Sequence, residues 1–246
     1  MLSGKNAIVT GSNRGIGKAI VETFAHNGAN VWACARNYNK DFEEHISKIE
    51  TQYNVWIKPI YFELESEEEI KKAIKSIIFE NPKIDILVNN AGILDMSLFQ
   101  MVPMERIRKM YQINLFAPML TTQVVLKAMV RRKKGCIINI ASLAGEQASP
   151  GNSIYGSSKA ALAHWTKILA SEVTTAGIRV NAVAPGSTET DLMSAHKSEV
   201  RKELYKESFM ERLGKPNEIA EVVAFLASDN AQFINGSIVD VNGGVR

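Results

Sequence analysis

The sequence predicts a doubly wound α/β fold: a mostly parallel seven-stranded sheet with helices on both faces. Three observations carry that prediction. Short β-branched or apolar runs alternate with longer stretches of helical spacing along the chain. Several short runs, such as Ile84-Asp85-Ile86-Leu87-Val88 and Cys136-Ile137-Ile138-Asn139-Ile140, are almost continuously apolar, which suits strands covered on both faces. At 246 residues the chain fits a single domain, because single cores stop growing at roughly 250–300 residues.

The elements follow in order. The apolar run at 7–10 is the first strand, and a glycine-rich turn leads from it into a helix over 17–27. A strand over 30–35 and a helix over 41–52 come next, then a strand over 55–62 and a helix over 66–80. The run 84–88 is the fourth strand. The stretch 104–132 is long for one helix, and Pro118 is expected to divide it, since proline breaks or starts helices. Strands over 136–141, 179–184 and 237–241 alternate with helices over 155–175 and 217–227. Such alternation implies right-handed crossovers, and ligands then bind beyond the carboxyl ends of the strands, at the switch point.

Composition narrows the class. Hydrophobic residues make up 46% and charged residues 22%, an ordinary globular balance that excludes a disordered chain. No uninterrupted apolar run approaches the ~20 residues of a membrane span, and the start, Met1-Leu2-Ser3-Gly4-Lys5-Asn6, lacks the apolar stretch of a signal peptide. Cys34 and Cys136 sit inside strand-like runs, which points to reduced, buried thiols in a cytoplasmic protein. A net charge of +3 is too small to suggest a nucleic-acid partner. The basic cluster Arg131-Arg132-Lys133-Lys134 reads as a solvated helix C-terminus favoured by the macrodipole.

Thr10-Gly11-Ser12-Asn13-Arg14-Gly15-Ile16-Gly17 follows the first strand and opens a helix. Gly11 permits a tight turn, Gly15 lets the backbone approach a pyrophosphate, and Gly17 allows the helix to pack closely on the strand. Free N–H groups and partial positive charge at the helix start then favour an anion. The spacing T-G-x-x-x-G-x-G resembles that of the short-chain dehydrogenase/reductase family, whose fold is a Rossmann-type sheet. Further motifs agree in order: Asn89-Asn90-Ala91-Gly92 after the fourth strand, Asn114 in the next helix, Ser142 after the fifth strand, Tyr155 and Lys159 as Y-x-x-x-K, Pro185-Gly186 after the sixth strand, and Asn242-Gly243-Gly244 near the end. Within that family the chain is most similar to bacterial reductases of 3-oxoacyl groups on acyl carrier protein, on the stretches Arg212-Leu213-Gly214-Lys215-Pro216 and Val223-Ala224-Phe225-Leu226-Ala227-Ser228.

The second strand of a Rossmann unit ends beside the adenosine ribose, where an acid selects NAD and a base accepts a 2′-phosphate. Here it ends Cys34-Ala35-Arg36-Asn37, with no acid at the junction; Asp41 comes too late. Arg36, with Arg14 closing from the glycine loop, can meet a phosphate by forked, charge-assisted contacts, which points to NADP(H). Taken singly, both are also readable as solvated arginines; the missing acid and the two bases together favour NADP(H). Glu63-Leu64 stands where the family usually has Asp-Val near the adenine, so a shifted contact is expected, and the surrounding Glu65, Glu67, Glu68 and Glu69 also read as an acidic helix entry. The resemblance further implies that Asn90, Ala91 and Gly92 flank the adenosine ribose, although Asn89-Asn90 is also simple turn chemistry. It implies as well that Pro185, Gly186, Thr188 and Thr190 hold the nicotinamide end and the pyrophosphate.

Reducing a ketone needs a hydride on carbon and a proton on oxygen. A tyrosine has an ordinary pKa of about 10, and a nearby cation favours the phenolate. Tyr155 and Lys159 are four apart and share a helix face, so Lys159 is expected to lower the Tyr155 pKa and to reach the nicotinamide ribose. Ser142 can hydrogen-bond the carbonyl oxygen. By resemblance, Asn114 distorts its helix and holds a water in a proton relay to Lys159.

The stretch 188–210 resembles the family's substrate lid. Met193, Leu204, Phe209 and Met210 are expected either to line an apolar tunnel or to pack the lid onto the domain; Leu94, Leu143, Ala144 and Gln147 are candidates for the pocket rim. The resemblance implies basic residues near the pocket mouth that meet an acidic carrier protein. Lys133 stands at one such position and Ala176, not a cation, at the other. The substrate is therefore read as a small molecule or an acyl thioester, with acyl carrier protein as a possible partner and a homotetramer as the assembly. A dehydrogenase or reductase acting on a small alcohol, sugar or cyclic ketone stays open. A non-catalytic cofactor-binding regulator is the third reading, and the intact Ser142-Tyr155-Lys159 set argues against it.

Overall fold

A computed structural model describes residues 1–190 and 208–244. Among them the order is β1 (Asn6–Thr10), α1 (Gly15–His26), β2 (Asn30–Ala35), α2 (Lys40–Tyr53), β3 (Ile57–Tyr61), α3 (Glu67–Glu80), β4 (Ile86–Asn89), α4 (Met104–Tyr111), α5 (Ala117–Arg132), β5 (Gly135–Ile140), α6 (Ser153–Val173), β6 (Ile178–Pro185), α7 (Pro216–Ala227) and β7 (Ile238–Val241). The strands form one sheet in the order β3-β2-β1-β4-β5-β6-β7. Every pairing is parallel, so the sheet is wholly rather than mostly parallel. The order reverses between β1 and β4, which is the switch point where the ligand crevice belongs.

Alternating side chains feed two apolar layers. Val9, Val88 and Ile138 pack with Ile20 and Phe24 of α1 and Val223 of α7, while Ile8, Leu87 and Ile137 pack with Ile74 of α3 and Val125 and Met129 of α5. Removing one such side chain, as in Ile138→Ala, costs about 2–5 kcal/mol.

Helix starts follow local chemistry. Asn39 accepts from the Phe42 N–H and Ser66 from the Glu69 N–H, and Glu67, Glu68 and Glu69 occupy the first turn of α3. The acidic run is thus a helix entry that complements the dipole.

The stretch 104–132 is divided, but not by Pro118 alone. A π-helical segment, Gln112–Phe116, separates α4 from α5, and Pro118 sits in the first turn of α5. That segment carries Asn114, whose side chain is tied outside the helix, so a widened turn accommodates it. The 29 residues Met104–Arg132 are long and apolar enough to cross a membrane, the one such helix among the described residues, but 56% of the apolar window is buried in the fold. Thr121, Thr122 and Gln123 interrupt the run in sequence, which is why counting uninterrupted apolar residues missed it.

Arg132 departs from the expected solvated cluster. It donates to the Ile84 carbonyl and pairs with the buried Asp85 carboxylate, both at 2.7 Å, while Asp85 also accepts from the Asn6 N–H.

Candidate functional site

All seven strands run the same way, so the loops after β1, β4, β5 and β6 gather on one edge. They line a cavity of about 1070 Å³ that reaches from Arg36 past the glycine loop to Tyr155.

At one end the backbone makes a cradle that side chains would fill. A Cβ on Gly11 would come within 2.9 Å of the Ala91 Cα, and one on Gly17 within 2.0 Å of the Gly11 carbonyl. Gly15 has a φ of +53° and faces Thr190, whose Cγ2 would lie 3.3 Å from an added Cβ. Arg14 is the N-cap of α1 and offers no side-chain cap, so the first N–H groups of α1 are left for another acceptor. Asn90 anchors this loop: its Nδ2 donates to the Thr10 and Gly11 carbonyls, and the Thr10 hydroxyl accepts from the Asn90 and Ala91 N–H groups. The turn chemistry of Asn90 and its place in the cavity wall therefore coexist.

Asn13, Ile16, Leu64, Gly92, Pro185, Gly186, Thr188 and the other expected cofactor residues line the same cavity, with one exception. Ser12 does not. It is fully buried, its hydroxyl donates to the Val9 carbonyl at 2.8 Å and its N–H to the Cys34 carbonyl at 2.9 Å, so the turn spends it on itself. Arg36 is exposed and lies 3.9 Å from Glu63. The Glu63 carboxylate accepts from its own neighbour, the Leu64 N–H, at 2.8 Å, and so is turned onto the backbone at the entry to α3.

At the other end stand Ser142, Tyr155 and Lys159. Ser142 follows β5 in an extended conformation, and a short 3-10 turn over Leu143–Gly145 follows it. Two glycines bring that turn against α6: a Cβ on Gly156 would come within 2.4 Å of the Ala144 carbonyl, and one on Gly145 within 2.9 Å of the Ala160 nitrogen. Ser142 and Tyr155 are thereby brought within hydrogen-bonding reach. Lys159 is buried and donates to the Ile140 carbonyl at 2.7 Å, with its Nζ 6.0 Å from the Tyr155 ring centroid.

The titration of these groups differs from expectation. Burial pushes the Tyr155 phenol up, and the Ser142 hydroxyl pulls the other way. Lys159, itself brought down to about 8 by burial, is not among the groups that shift the phenol, and burial of the phenol decides the direction. The outcome is a phenol that keeps its proton at neutral pH, the state a general acid requires.

Asn114 is fully buried and does not line the cavity. Its Oδ1 accepts from the Ile93 N–H at 2.8 Å, and its Nδ2 donates to the Ile93 carbonyl and to the Ser158 hydroxyl. Ser158 donates in turn to the Tyr155 carbonyl. The side chain thus ties the loop after β4 to the turn of α6 between Tyr155 and Lys159, and its Oδ1 and the Lys159 Nζ both lie close to Gly92.

The loop after β6 is held by the Arg212–Pro216 stretch. Gly214 bridges Thr188, Glu189 donates to the Gly214 carbonyl at 2.8 Å, and Arg212 forks onto Glu218 at 2.7 and 2.8 Å. Of the lid candidates, Met193 and Leu204 lie outside the described residues. Phe209 and Met210 touch the Gly243-Gly244 turn, are largely exposed and are not among the described residues of the cavity wall. Leu94, Leu143, Ala144 and Gln147 are in the wall, and so are Met96 and Asn152, which the sequence reading missed. Asn152 was findable, being three residues before Tyr155 and so on its face of the helix.

Lys133 and Ala176 are not at this chain's own pocket mouth. They precede β5 and β6, at the amino edge of the sheet, and a Cβ on Gly177 would lie 2.3 Å from the Lys133 carbonyl, so the two positions are neighbours. Ser142 follows the carboxyl end of β5, a six-residue strand spanning about 20 Å.

Comparison with known proteins fits this geometry. A family model described as enoyl-(acyl carrier protein) reductase matches residues 11–246. The chain is 40% identical to the 3-oxoacyl-(acyl-carrier-protein) reductase of Aquifex aeolicus over 245 residues, covering 99% of this chain and 98% of that protein. It is 38% identical to the enzyme of that name from Vibrio cholerae (99% and 98% covered) and 37% identical to that from Escherichia coli (98% and 97% covered).

Proposed function

The chain belongs to the short-chain dehydrogenase/reductase family, and on that premise we propose that it reduces 3-oxoacyl thioesters with NADPH. The observation that carries the reading is one cavity holding the glycine cradle and Arg36 at one end and the Ser142-Tyr155-Lys159 cluster at the other. The substrate class rests on relatives named for that reaction and matched over nearly their whole length.

When bound, the reduced nicotinamide supplies a hydride to the carbonyl carbon. The Gly11–Gly17 backbone and Thr190 would hold the pyrophosphate; Arg36 and Arg14 the 2′-phosphate; Glu63, Leu64, Asn90, Ala91 and Gly92 the adenosine; Lys159, Pro185, Gly186 and Thr188 the nicotinamide end. Ser142 donates a hydrogen bond to the carbonyl oxygen as charge develops there. Tyr155 gives the same oxygen its phenol proton, and the Lys159 ammonium stabilises the phenolate that remains. Asn114 acts as a positioning residue, through Ser158 and the Tyr155 carbonyl.

The chain acts as one domain with a substrate lid near 188–210, in the cytoplasm, where its two buried thiols remain free. A homotetramer is supported by apolar side chains left exposed on the π segment, on α5, α6 and α7 and beyond α7: Phe116, Val130, Ile168, Phe225 and Phe233. Acyl carrier protein is the partner proposed for delivery.

The test is NADPH oxidation against acetoacetyl and crotonyl thioesters, cyclic ketones and keto-sugars. Turnover of the acetoacetyl thioester is the expected result. Turnover of a sugar or cyclic ketone alone leaves a ketone reductase of another substrate class, and turnover of the crotonyl thioester alone leaves an enoyl reductase.

A further inference from the structure

We infer that Asn152 reads the amide N–H of the cysteamine arm in an acyl thioester, and so selects arm-bearing substrates; the inference rests on the 3-oxoacyl thioester reading.

Asn152 is the N-cap of α6, a position where asparagine ordinarily turns its side-chain oxygen onto a free N–H of the first turn. Here it makes no such bond. Its Oδ1 is shielded from solvent and has no partner, although Asn152 belongs to the cavity wall. The main chain around it is fixed. The Asn152 N–H donates to the Ser149 carbonyl at 3.1 Å, its carbonyl accepts from the Gly156 N–H at 2.7 Å, and the Gly151 carbonyl accepts from the Ser97 N–H at 3.1 Å. A rigid backbone thus carries an acceptor left unused by the fold, and a turn of the Asn152 side chain alone is what brings it to a donor in the cavity. Leaving such an oxygen unpaired costs free energy that a donor on the substrate recovers.

The spacing fits one donor on a thioester. Tyr155 is three residues along the helix, so its Cβ lies about 5–6 Å from that of Asn152. In a 3-oxoacyl thioester of cysteamine, six bonds separate the reacting carbonyl carbon from the amide nitrogen, about 7 Å when extended. With the oxo group at Ser142 and Tyr155, the arm can run toward the start of α6 and bring its N–H to Asn152. The acyl ester carbonyls are acceptors and cannot satisfy Oδ1; the amide is the first donor along the arm.

The experiment compares two substrates that differ in one group: the acetoacetyl thioester of N-acetylcysteamine and its analogue with ester oxygen in place of the amide N–H. Each is assayed with NADPH and the full chain. Wild type is expected to prefer the amide about tenfold in kcat/KM, since a site built to bond an N–H rejects the analogue lacking it. Asn152→Ala should bring that ratio close to one, and Asn152→Asp, which keeps an acceptor, should restore it. A ratio of one in wild type, or a ratio that survives in Asn152→Ala while both rates fall together, assigns Asn152 to the support of α6 and overturns the inference with the thioester reading intact. Turnover of neither thioester overturns that reading and the inference with it.

Discussion

The Lys159 ammonium lies 6.0 Å from the centroid of the Tyr155 ring and donates to the Ile140 carbonyl at 2.7 Å. Burial sets both groups toward neutrality: the phenol is pushed up, and the lysine is brought down to about 8. A carbonyl oxygen arriving between Ser142 and Tyr155 therefore meets an acid that still holds its proton. The lysine serves it by charge, and that charge is lost at a pH close to neutral.

It follows that ketone reduction should weaken above pH 8. As pH rises through the Lys159 pKa, the cation that stabilises the developing phenolate disappears, while Tyr155 remains protonated to higher pH. A profile of kcat/KM against pH, which reports the free enzyme, should show a descending limb near 8. In Lys159→Arg, whose guanidinium keeps its charge, that limb should move above 10 even if the rate is lower throughout. A limb that stays near 8 in the variant assigns it to another group.

The same burial predicts an effect on stability. Lys159 is a base whose folded pKa, about 8, lies below its ordinary 10.5. Between those values the unfolded chain binds more protons, so stability gains from rising pH in that window and gains nothing below it. At 1.36 kcal/mol per unit the cost of the buried ammonium at neutral pH is about 3 kcal/mol. Lys159→Met removes that cost, so its unfolding free energy relative to wild type should decline by about 3 kcal/mol between pH 7 and pH 10.5. Urea titrations of both proteins at the two values measure the change, and a constant difference rules out a desolvated lysine.

Most of the fold was legible because each strand is a short apolar run bounded by turn residues, and the boundaries moved by only one or two positions. The sites on backbone were legible too, since Gly11, Gly15 and Gly17 are required by sterics that sequence spacing expresses. What spacing does not express is which bonds a polar side chain makes once folded. Ser12 looked like part of the cradle and turned onto Val9, and the ties of Asn114 to Ile93 and Ser158 were not visible in spacing. The division of the long helix was legible in part: the distortion at Asn114 expected from the resemblance is the π turn, while Pro118, visible in sequence, sits in the first turn of α5, and the ties of Asn114 to partners 21 and 44 residues away are not expressed by spacing. The direction of the Tyr155 shift was misjudged because the burial that raises it is a property of the packed state.

Cofactor choice should follow Arg36. Its side chain is exposed at the end of β2 and only loosely paired, 3.9 Å from Glu63, so it can turn to a phosphate without breaking a tight ion pair. Hydrogen bonds to a charged group contribute about 1.5–3 kcal/mol. Arg36→Asp should therefore raise the KM for NADPH by roughly ten- to a hundredfold and shift preference toward NADH. Saturation curves with both cofactors decide it; a wild-type enzyme that favours NADH contradicts the reading of β2.

Assembly should be visible in solution. Phe116 on the π segment, Val130 on α5 and Ile168 on α6 are each about half exposed, and packing against a second copy would cover them. Light scattering at micromolar concentration should give the mass of four chains, and Ile168→Lys should lower it. A monomer mass for wild type removes the tetramer.

That assembly bears on how a carrier protein could be received. Lys133 and Ala176 are neighbours at the amino edge of the sheet, about one strand length from Ser142, so a carrier seated there cannot feed the cavity of the same chain. It can do so only where a second copy brings its carboxyl edge alongside. Lys133, with the exposed Arg131 and Lys134, supplies cations there, Arg132 being committed to Asp85, and Ala176 adds none. An exposed charge pair contributes up to about 1 kcal/mol, or roughly fivefold, and falls with salt. Ala176→Arg should therefore raise kcat/KM on carrier-bound acetoacetyl substrate by up to about fivefold at low salt, with the gain fading by about 0.5 M. It should leave the N-acetylcysteamine thioester unaffected, because that substrate has no carrier to dock. The gain should also depend on assembly, and vanish in Ile168→Lys if that variant is monomeric. Equal improvement on both substrates would mean that the substitution acts on the cavity or on stability, and that charge at this edge does not limit delivery.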